Sequence, residues 1–206
     1  RIVQSEVQKQ SADVLLSTYL GRDAGARVNA GMVERGDAEM IRAVILFTDI
    51  IDFTAMSNSQ PIEQTVDTLN GYFEALEAPI LKYGGEVLKL MGDGLFAIFP
   101  TPDDLTAEES AALAAISAVA DARRALGESG VSFRSAFHVG ELHYGNIGGL
   151  TRLDFTAIGP AVNLAARLLD CADKANRDDV CSAAFALLAP GRTIKLGDFD
   201  FKGFGA

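Results

Sequence analysis

Apolar and polar residues follow three rhythms along the chain, and each predicts a different element. Ala43-Val44-Ile45-Leu46-Phe47 is an unbroken apolar run, the pattern of a short strand buried on both faces. Beyond it, Ile62, Val66, Leu69, Phe73, Leu76 and Ile80 recur at steps of four and three, which predicts a helix with one apolar face. Pro61 suits the first turn of that helix and Gly84-Gly85 its end. Glu86 to Met91 and Leu95 to Phe99 then read as two strands joined at Gly92-Asp93-Gly94. Thr106 and Glu109 have capping-box spacing ahead of an Ala-rich helix that runs to about Leu126. Val131 to Val139 reads as a strand, 140–149 as a second hairpin, and the residues near Leu153 to Ile158 as its continuation. Pro160 opens a helix carrying Asn163 and Arg167, and a short helix (about Ser182 to Ala189) and a strand (Thr193 to Phe201) close the chain.

The order β-α-β-β-α-β predicts an α+β fold of the ferredoxin-like kind, an antiparallel sheet with helices packed on it, followed by extra C-terminal elements. Ahead of it, Ile2 to about Leu20 has helical spacing, and 21–36 is rich in glycine and charge. The expected division is a connector over 1–38 and a globular domain over 39–206. The chain begins at Arg1 rather than Met, so an upstream region, such as a sensor or regulatory domain, is expected in a longer parent.

Composition narrows the partners. The chain has 206 residues, 49% apolar and 22% charged, with a net charge of −10. So acidic a surface argues against nucleic acid and anionic lipid, which need a positive field. A small anionic substrate is still allowed, because bound cations can reverse the local sign. Two cysteines, Cys171 and Cys181, make no disulfide scaffold and point to a reducing, cytoplasmic setting. No apolar run reaches the roughly 18 residues of a membrane span.

Three segments carry candidate chemistry. In Phe47-Thr48-Asp49-Ile50-Ile51-Asp52-Phe53-Thr54 an acidic residue sits where a buried strand turns toward a helix. Its carboxylate can hold a hard cation and the adjacent N–H groups can hold phosphate oxygens. The plainer alternative is that Asp49 or Asp52 caps the helix. In Lys89-Leu90-Met91-Gly92-Asp93-Gly94 an aspartate at a hairpin tip is by itself an ordinary turn former. Sheet pairing could bring it beside Asp49, and two carboxylates meeting there would repel unless cations lay between them. In Thr156 to Arg167, Asn163 and Arg167 lie four apart on one helical face, where an amide and a guanidinium suit a ribose oxygen and a phosphate. His138, His143, Cys171 and Cys181 lack metal-site spacing.

Together, in this order, Phe-Thr-Asp-Ile, Lys-x-x-Gly-Asp-Gly and Gly-x-x-Val-Asn-x-Ala-x-Arg resemble the catalytic domain of class III adenylate and guanylate cyclases over roughly Arg42 to Gly203. Gly145-Asn146-Ile147-Gly148 resembles the family's second hairpin. The resemblance implies that Asp49, Asp93 and the neighbouring Ile50 bind two divalent cations, magnesium or manganese. It implies that Phe47, Ile50, Ile51, Asp52, Phe53 and Thr54 line the substrate, that Lys89 and Thr156 read the base, and that Asn163 orients the ribose. Arg167 would stabilise charge on the α-phosphate, and Lys202 would touch the distal phosphates. The implied reaction is attack of the ribose 3′-oxygen on the α-phosphate, giving a 3′,5′-cyclic nucleotide and pyrophosphate.

The family works as a head-to-tail dimer, the metal aspartates coming from one protomer and the lysine, threonine, asparagine and arginine from the other. This chain holds both sets, so a homodimer would have two complete sites. The N-terminal helices could pair and set the protomers' relative angle. A lysine donor and a threonine acceptor fit the edge of adenine, so ATP is the expected substrate, and the chain is similar to the threonine-bearing bacterial subgroup. Asp154, two residues from Thr156, is expected to face elsewhere. A guanylate or base-promiscuous cyclase and a non-catalytic nucleotide-binding module are the alternatives; a diguanylate cyclase lacks support because its Gly-Gly-Asp/Glu-Glu-Phe signature is missing.

Overall fold

The computed structural model describes residues 2–32, 34–102, 104–127, 129–199 and 201, with side chains from residue 10 onward. At its centre is β1 (Ala38–Ile50), paired antiparallel with β3 (Gly94–Thr101) on one side and β4 (Phe133–Gly148) on the other. β2 (Glu86–Met91) continues the sheet beyond β3, and β5 (Leu153–Ile158) pairs with the far part of β4, giving the order β2-β3-β1-β4-β5. A short β6 (Asp179–Cys181) adds the sheet's parallel pairing, against Ser135 to Phe137 of β4.

The apolar run of β1 is explained by this position. Its side chains alternate between two faces, and both faces are covered. Val44 and Leu46 pack with α4 (Ile62–Lys82), α5 (Leu105–Leu126) and α7 (Ala183–Leu188). Ala43, Ile45 and Phe47 pack with α6 (Pro160–Ala175), β5 and the far end of β4. The two helices of the split motif therefore share one face, and α6 covers the other. Each fully buried Val, Leu, Ile or Phe in such a strand contributes about 1.5–3 kcal/mol of transfer free energy.

The helices end as local chemistry dictates. Gly85 N–H donates to Ile80 O and Gly84 N–H to Leu81 O, with Gly84 at φ 80°, the two bonds of a Schellman stop. α5 is capped by Asp104, whose side chain accepts from Thr106 N–H. The helix thus starts ahead of the expected Thr106–Glu109 box. α4 departs from its expected apolar face near its start, where Ile62 and Val66 are 69% and 46% exposed. Thr65, Tyr72, Leu76 and Ile80 are its buried residues. The second hairpin also differs: β4 runs unbroken through 140–148, and the turn comes after it. The strand expected at Thr193 to Phe201 is absent among the described residues of that segment, which make no ladder.

Ahead of the sheet, α1 (Ile2–Leu20) is followed by α2 (Arg22–Asn29) within the stretch read as a connector. α2 is docked. Ala24 is buried in the same cluster as Tyr144 and Phe155. The Tyr144 hydroxyl lies 2.8 Å from both Glu86 carboxylate oxygens and 3.2 Å from Asp23 of α2. Arg27 pairs with Asp23 and Glu39 and lies over the Tyr144 ring. Asn29 donates to Asp13 of α1 at 2.6 Å. No helix among the described residues is long and apolar enough to cross a membrane.

Candidate active site

Three strands bring the acidic pair together. Asp49 ends the central run of β1, opposite Gly94 of β3 and Arg134 of β4. Asp93 sits in the two-residue turn between β2 and β3, whose first residue, Gly92, has φ 66°, as a tight hairpin of this kind requires. The Asp93 carbonyl accepts from Ile50 N–H at 3.3 Å, which fixes the turn against the end of β1. Gly94 permits that approach: a Cβ there would lie 2.8 Å from Thr48 O and 3.4 Å from Asp49 Oδ1. Beneath, the buried Thr48 hydroxyl accepts from Tyr72 at 2.7 Å.

The electrostatics of this corner call for positive charge. Burial, then the negative charge of the neighbouring Asp93, hold Asp49 well above the ordinary carboxylate range. Arg134 opposes that effect and Asp170 of α6 adds to it. Arg134 also pairs with Asp173 of α6 at 2.9 Å. Its place beside Asp49 was not legible in the sequence, because the two residues are neighbours only through the β1–β4 register.

The rest of the first segment divides between core and surface. The Phe47 ring stacks on Phe96, centroids 4.6 Å apart and planes 2° from parallel, and Ile50 is buried in the opposite cluster. Ile51 N–H donates to Ser132 O and is used by the fold. Asp52 stands at the N-cap of α3 (Phe53–Ser59) in a left-handed conformation, with no side-chain cap bond, so side-chain capping does not account for it. Phe53 packs partly against the core, and Thr54 is exposed. The first helical bond runs from Met56 N–H to Asp52 O, which leaves the N–H groups of Phe53, Thr54 and Ala55 without an intrahelical acceptor.

A second group lies apart. The β2–β3 register shifts between Val87 and Lys89, a bulge that turns the strand locally. Lys89 Nζ donates to Asp154 Oδ2 of β5 at 2.9 Å. Asp154 was expected to face elsewhere; it faces Lys89, because the bulge carries Lys89 toward β5. Thr156 lies two residues along β5, opposite Gly145. On α6 the buried residues are Ala161, Val162, Ala165, Leu168, Cys171 and Ala172, which leaves Asn163 and Arg167 exposed. Arg167 lies 3.5 Å from Asp170. Among the described residues, no hydrogen bond or ion pair joins Lys89, Thr156, Asn163 or Arg167 to Asp49 or Asp93. Lys202 lies outside the described residues.

The remaining candidates are structural. His138 Nδ1 is 2.7 Å from Ser182 Oγ, which caps α7 by accepting from Phe185 N–H. Cys171 and Cys181 are free thiols pushed up by burial. A cavity of about 1030 Å³ lies between α5, α7 and 192–199, lined largely by apolar side chains such as Val119, Phe137 and Phe185. It contains none of the acidic pair, Lys89, Thr156, Asn163 or Arg167. No group of three or more His, Cys, Asp or Glu that could hold a metal occurs among the described residues.

Residues 37–203 match the family described as the adenylate and guanylate cyclase catalytic domain. An uncharacterized protein of Mycobacterium bovis is 32% identical over 158 residues, 77% of this chain and 29% of its own length. An uncharacterized protein of Mycobacterium tuberculosis is 31% identical over 172 residues, 84% of this chain and 30% of its own length. The chain thus spans about three tenths of the curated relatives it matches. Among solved structures, the adenylyl cyclase CyaB of Pseudomonas aeruginosa is 28% identical, with a TM-score of 0.70 over 82% of this chain and 91% of that one. A bacterial light-regulated adenylyl cyclase gives 0.80 at 24% identity, over 96% of this chain and 61% of that one. The guanylyl cyclase Cya2 gives 0.66 at 23% identity, over 82% and 89%. At these last two identities the likeness speaks to the fold alone.

Proposed function

The chain belongs to the family of adenylate and guanylate cyclase catalytic domains, and on that premise we propose that it converts ATP to 3′,5′-cyclic AMP and pyrophosphate at a homodimer interface. The observation that carries this reading is the acidic corner. Asp49, half-buried, meets the like charge of Asp93, with Arg134 alongside. Two carboxylates fit magnesium or manganese, hard cations that take one or two carboxylates plus waters and a substrate's phosphates. Asp49 and Asp93, with the backbone of Ile50, would hold two such ions. When bound, the ions supply positive charge that lowers the pKa of the attacking hydroxyl and neutralises the phosphates.

The chain's own groups divide the remaining work. The N–H groups opening α3 and the Arg134 guanidinium supply donors for the triphosphate. Asn163 orients the ribose, and Arg167 meets charge developing on the α-phosphate, a contact strongest in the transition state. Lys89 donates to N1 of adenine, and the Thr156 hydroxyl accepts from its amine. Lys202 is assigned to the distal phosphates by resemblance. Asp49 and Asp93 come from one protomer, and Lys89, Thr156, Asn163 and Arg167 from the other. The exposure of Lys89, Asn163 and Arg167 in the single chain supports this arrangement. Residues 1–38 are assigned to a connector from an upstream regulatory region, and the domain to the cytoplasm. A guanylate cyclase is the second reading, because the family that this chain matches holds both adenylate and guanylate cyclases.

The test is cyclic-nucleotide formation from ATP and from GTP with the same metal. Wild-type protein should favour ATP, and Asp93→Ala should lower its turnover by roughly 10³-fold or more. Undiminished turnover in that variant would overturn the assignment of the corner, and a preference for GTP would overturn the assignment of the base.

A further inference from the structure

We propose that Asp173 is a positioning residue for the acidic corner: it holds the Arg134 guanidinium to one side of Asp49, and so keeps the corner's carboxylates open to divalent cations. The inference rests on the reading above that Asp49 and Asp93 hold the metal ions.

The sheet makes a competitor of Arg134. It stands opposite Asp49 in the β1–β4 register, and residues so paired share a face with Cβ atoms about 4.5–5.5 Å apart. That face is the one under α6, where Phe47 of β1 and Ala136 of β4 are buried. The Arg134 side chain is only 20% exposed. An arginine in such a place is the natural partner of the nearest carboxylate, since its planar fork matches both oxygens. Closed on Asp49, it would occupy the oxygens that a cation needs. Its charge already reaches Asp49, opposing the rise that burial and Asp93 produce. Yet among the described residues no ion pair joins Arg134 to Asp49 or Asp93. Its partner is Asp173, whose Oδ1 lies 2.9 Å from a terminal nitrogen of the guanidinium.

The stability of the fold does not explain Asp173. It stands in the last turn of α6, where a carboxylate meets the negative end of the helix dipole and is unfavourable. It is 70% exposed, and an ion pair so open to water contributes little to stability by itself. Asp170, three residues earlier, lies 3.5 Å from Arg167 and adds to the rise of Asp49, so it does not replace Asp173 as a tether for Arg134. What the pair does change is where the guanidinium rests. One terminal nitrogen faces Asp173, and the other N–H groups stay available to phosphate oxygens. The consequence of the pair should therefore appear in cation binding. Without Asp173, the guanidinium is left with the carboxylate across the strand, and a metal ion must displace it.

The experiment measures Mn²⁺ binding without nucleotide, from the electron paramagnetic resonance signal of the free ion. It compares the wild-type chain with Asp173→Asn, Asp173→Glu, Arg134→Gln and the double variant Arg134→Gln/Asp173→Asn. Asp173→Asn should raise the Kd for Mn²⁺ about 3-fold to 5-fold, the range that an exposed ion pair can shift. Asp173→Glu should recover at least half of that loss. Arg134→Gln, with no guanidinium to hold aside, should bind Mn²⁺ at least as tightly as the wild type. In that background Asp173→Asn should change the Kd by less than about 2-fold, because one residue acts through the other. The proposal is overturned if Asp173→Asn binds Mn²⁺ as the wild type does. It is also overturned if Asp173→Asn weakens binding equally with and without Arg134, which would mark a plain loss of negative charge or a loosened α6. Asp49→Ala separates the two readings: if it binds Mn²⁺ as well as the wild type, the acidic-corner reading fails first and takes this inference with it.

Discussion

The acidic corner and the nucleotide-reading face are built by different means. Asp49 and Asp93 are placed by backbone: three strands in register, a tight turn, and a glycine that lets the turn touch β1. Lys89, Asn163 and Arg167 are exposed and Thr156 is half-buried, and Lys89 and Arg167 are held by ion pairs that water reaches. Geometry fixed by a core persists whether or not a ligand is present. Geometry made of exposed long side chains becomes definite only when another surface covers it. The contrast supports a site whose metal half is complete in one chain and whose reading half awaits a second copy.

The comparison breaks most sharply if the halves belong to the same chain. Asp49→Ala and Arg167→Ala should each lower turnover by roughly 10²–10³-fold, Arg167→Ala with little change in KM. Mixed in equal amounts, the two inactive variants should regain about a quarter of wild-type activity, because half the dimers would be mixed and each would hold one intact site. A mixture that stays inactive would place both halves within one protomer.

A smaller effect sharpens the claim that backbone places the corner. Gly94→Ala drives a methyl against Thr48 O and should cost about 1–3 kcal/mol, read as a lower denaturation midpoint. Gly92→Ala, where a Cβ meets nothing within 4 Å but φ is 66°, should cost only about 1–2 kcal/mol of backbone strain. Equal tolerance of both would mean that the turn does not press on β1.

The smallest effect lies in β4, which carries Arg134 near one region and Tyr144 near the other. Between them, burial and then the Arg42 charge lower His138 to about 4, against about 6.5 in an unfolded chain. Between those values the unfolded chain holds a proton that the folded chain does not. Stability from this group is therefore complete above about pH 6.5 and is lost as pH falls toward 4. His138→Gln should flatten that part of the stability–pH curve, and an unchanged slope would show that other groups set it.

Much of this was legible before the fold was known. The apolar run of β1, the glycine-flanked Asp93 and the opening of α6 at Pro160 each carry a local signal strong enough to fix an element. What escaped depends on pairing. Arg134 meets Asp49, and Asp154 meets Lys89, only through strand register and a bulge, which no window of sequence contains. The apolar residues of 193–199 suggested a strand, but strand formation needs a partner edge as much as propensity. Ile62 and Val66 have helical spacing like their neighbours, yet near the start of α4 it is Thr65 that faces the core and these two that face out.

The docking of α2 bears on how this domain could be joined to others. The family match begins at residue 37, an inviting place to cut. A cut there would remove Ala24 from its apolar seat and Asp23 and Arg27 from around Tyr144, leaving a Glu86 carboxylate, raised chiefly by burial, at a newly wetted edge. A splice that keeps α2 and its seat falls before Asp13, which holds Asn29, so that a grafted sensor joins a domain that still has the piece of the wall that the sheet cannot supply for itself.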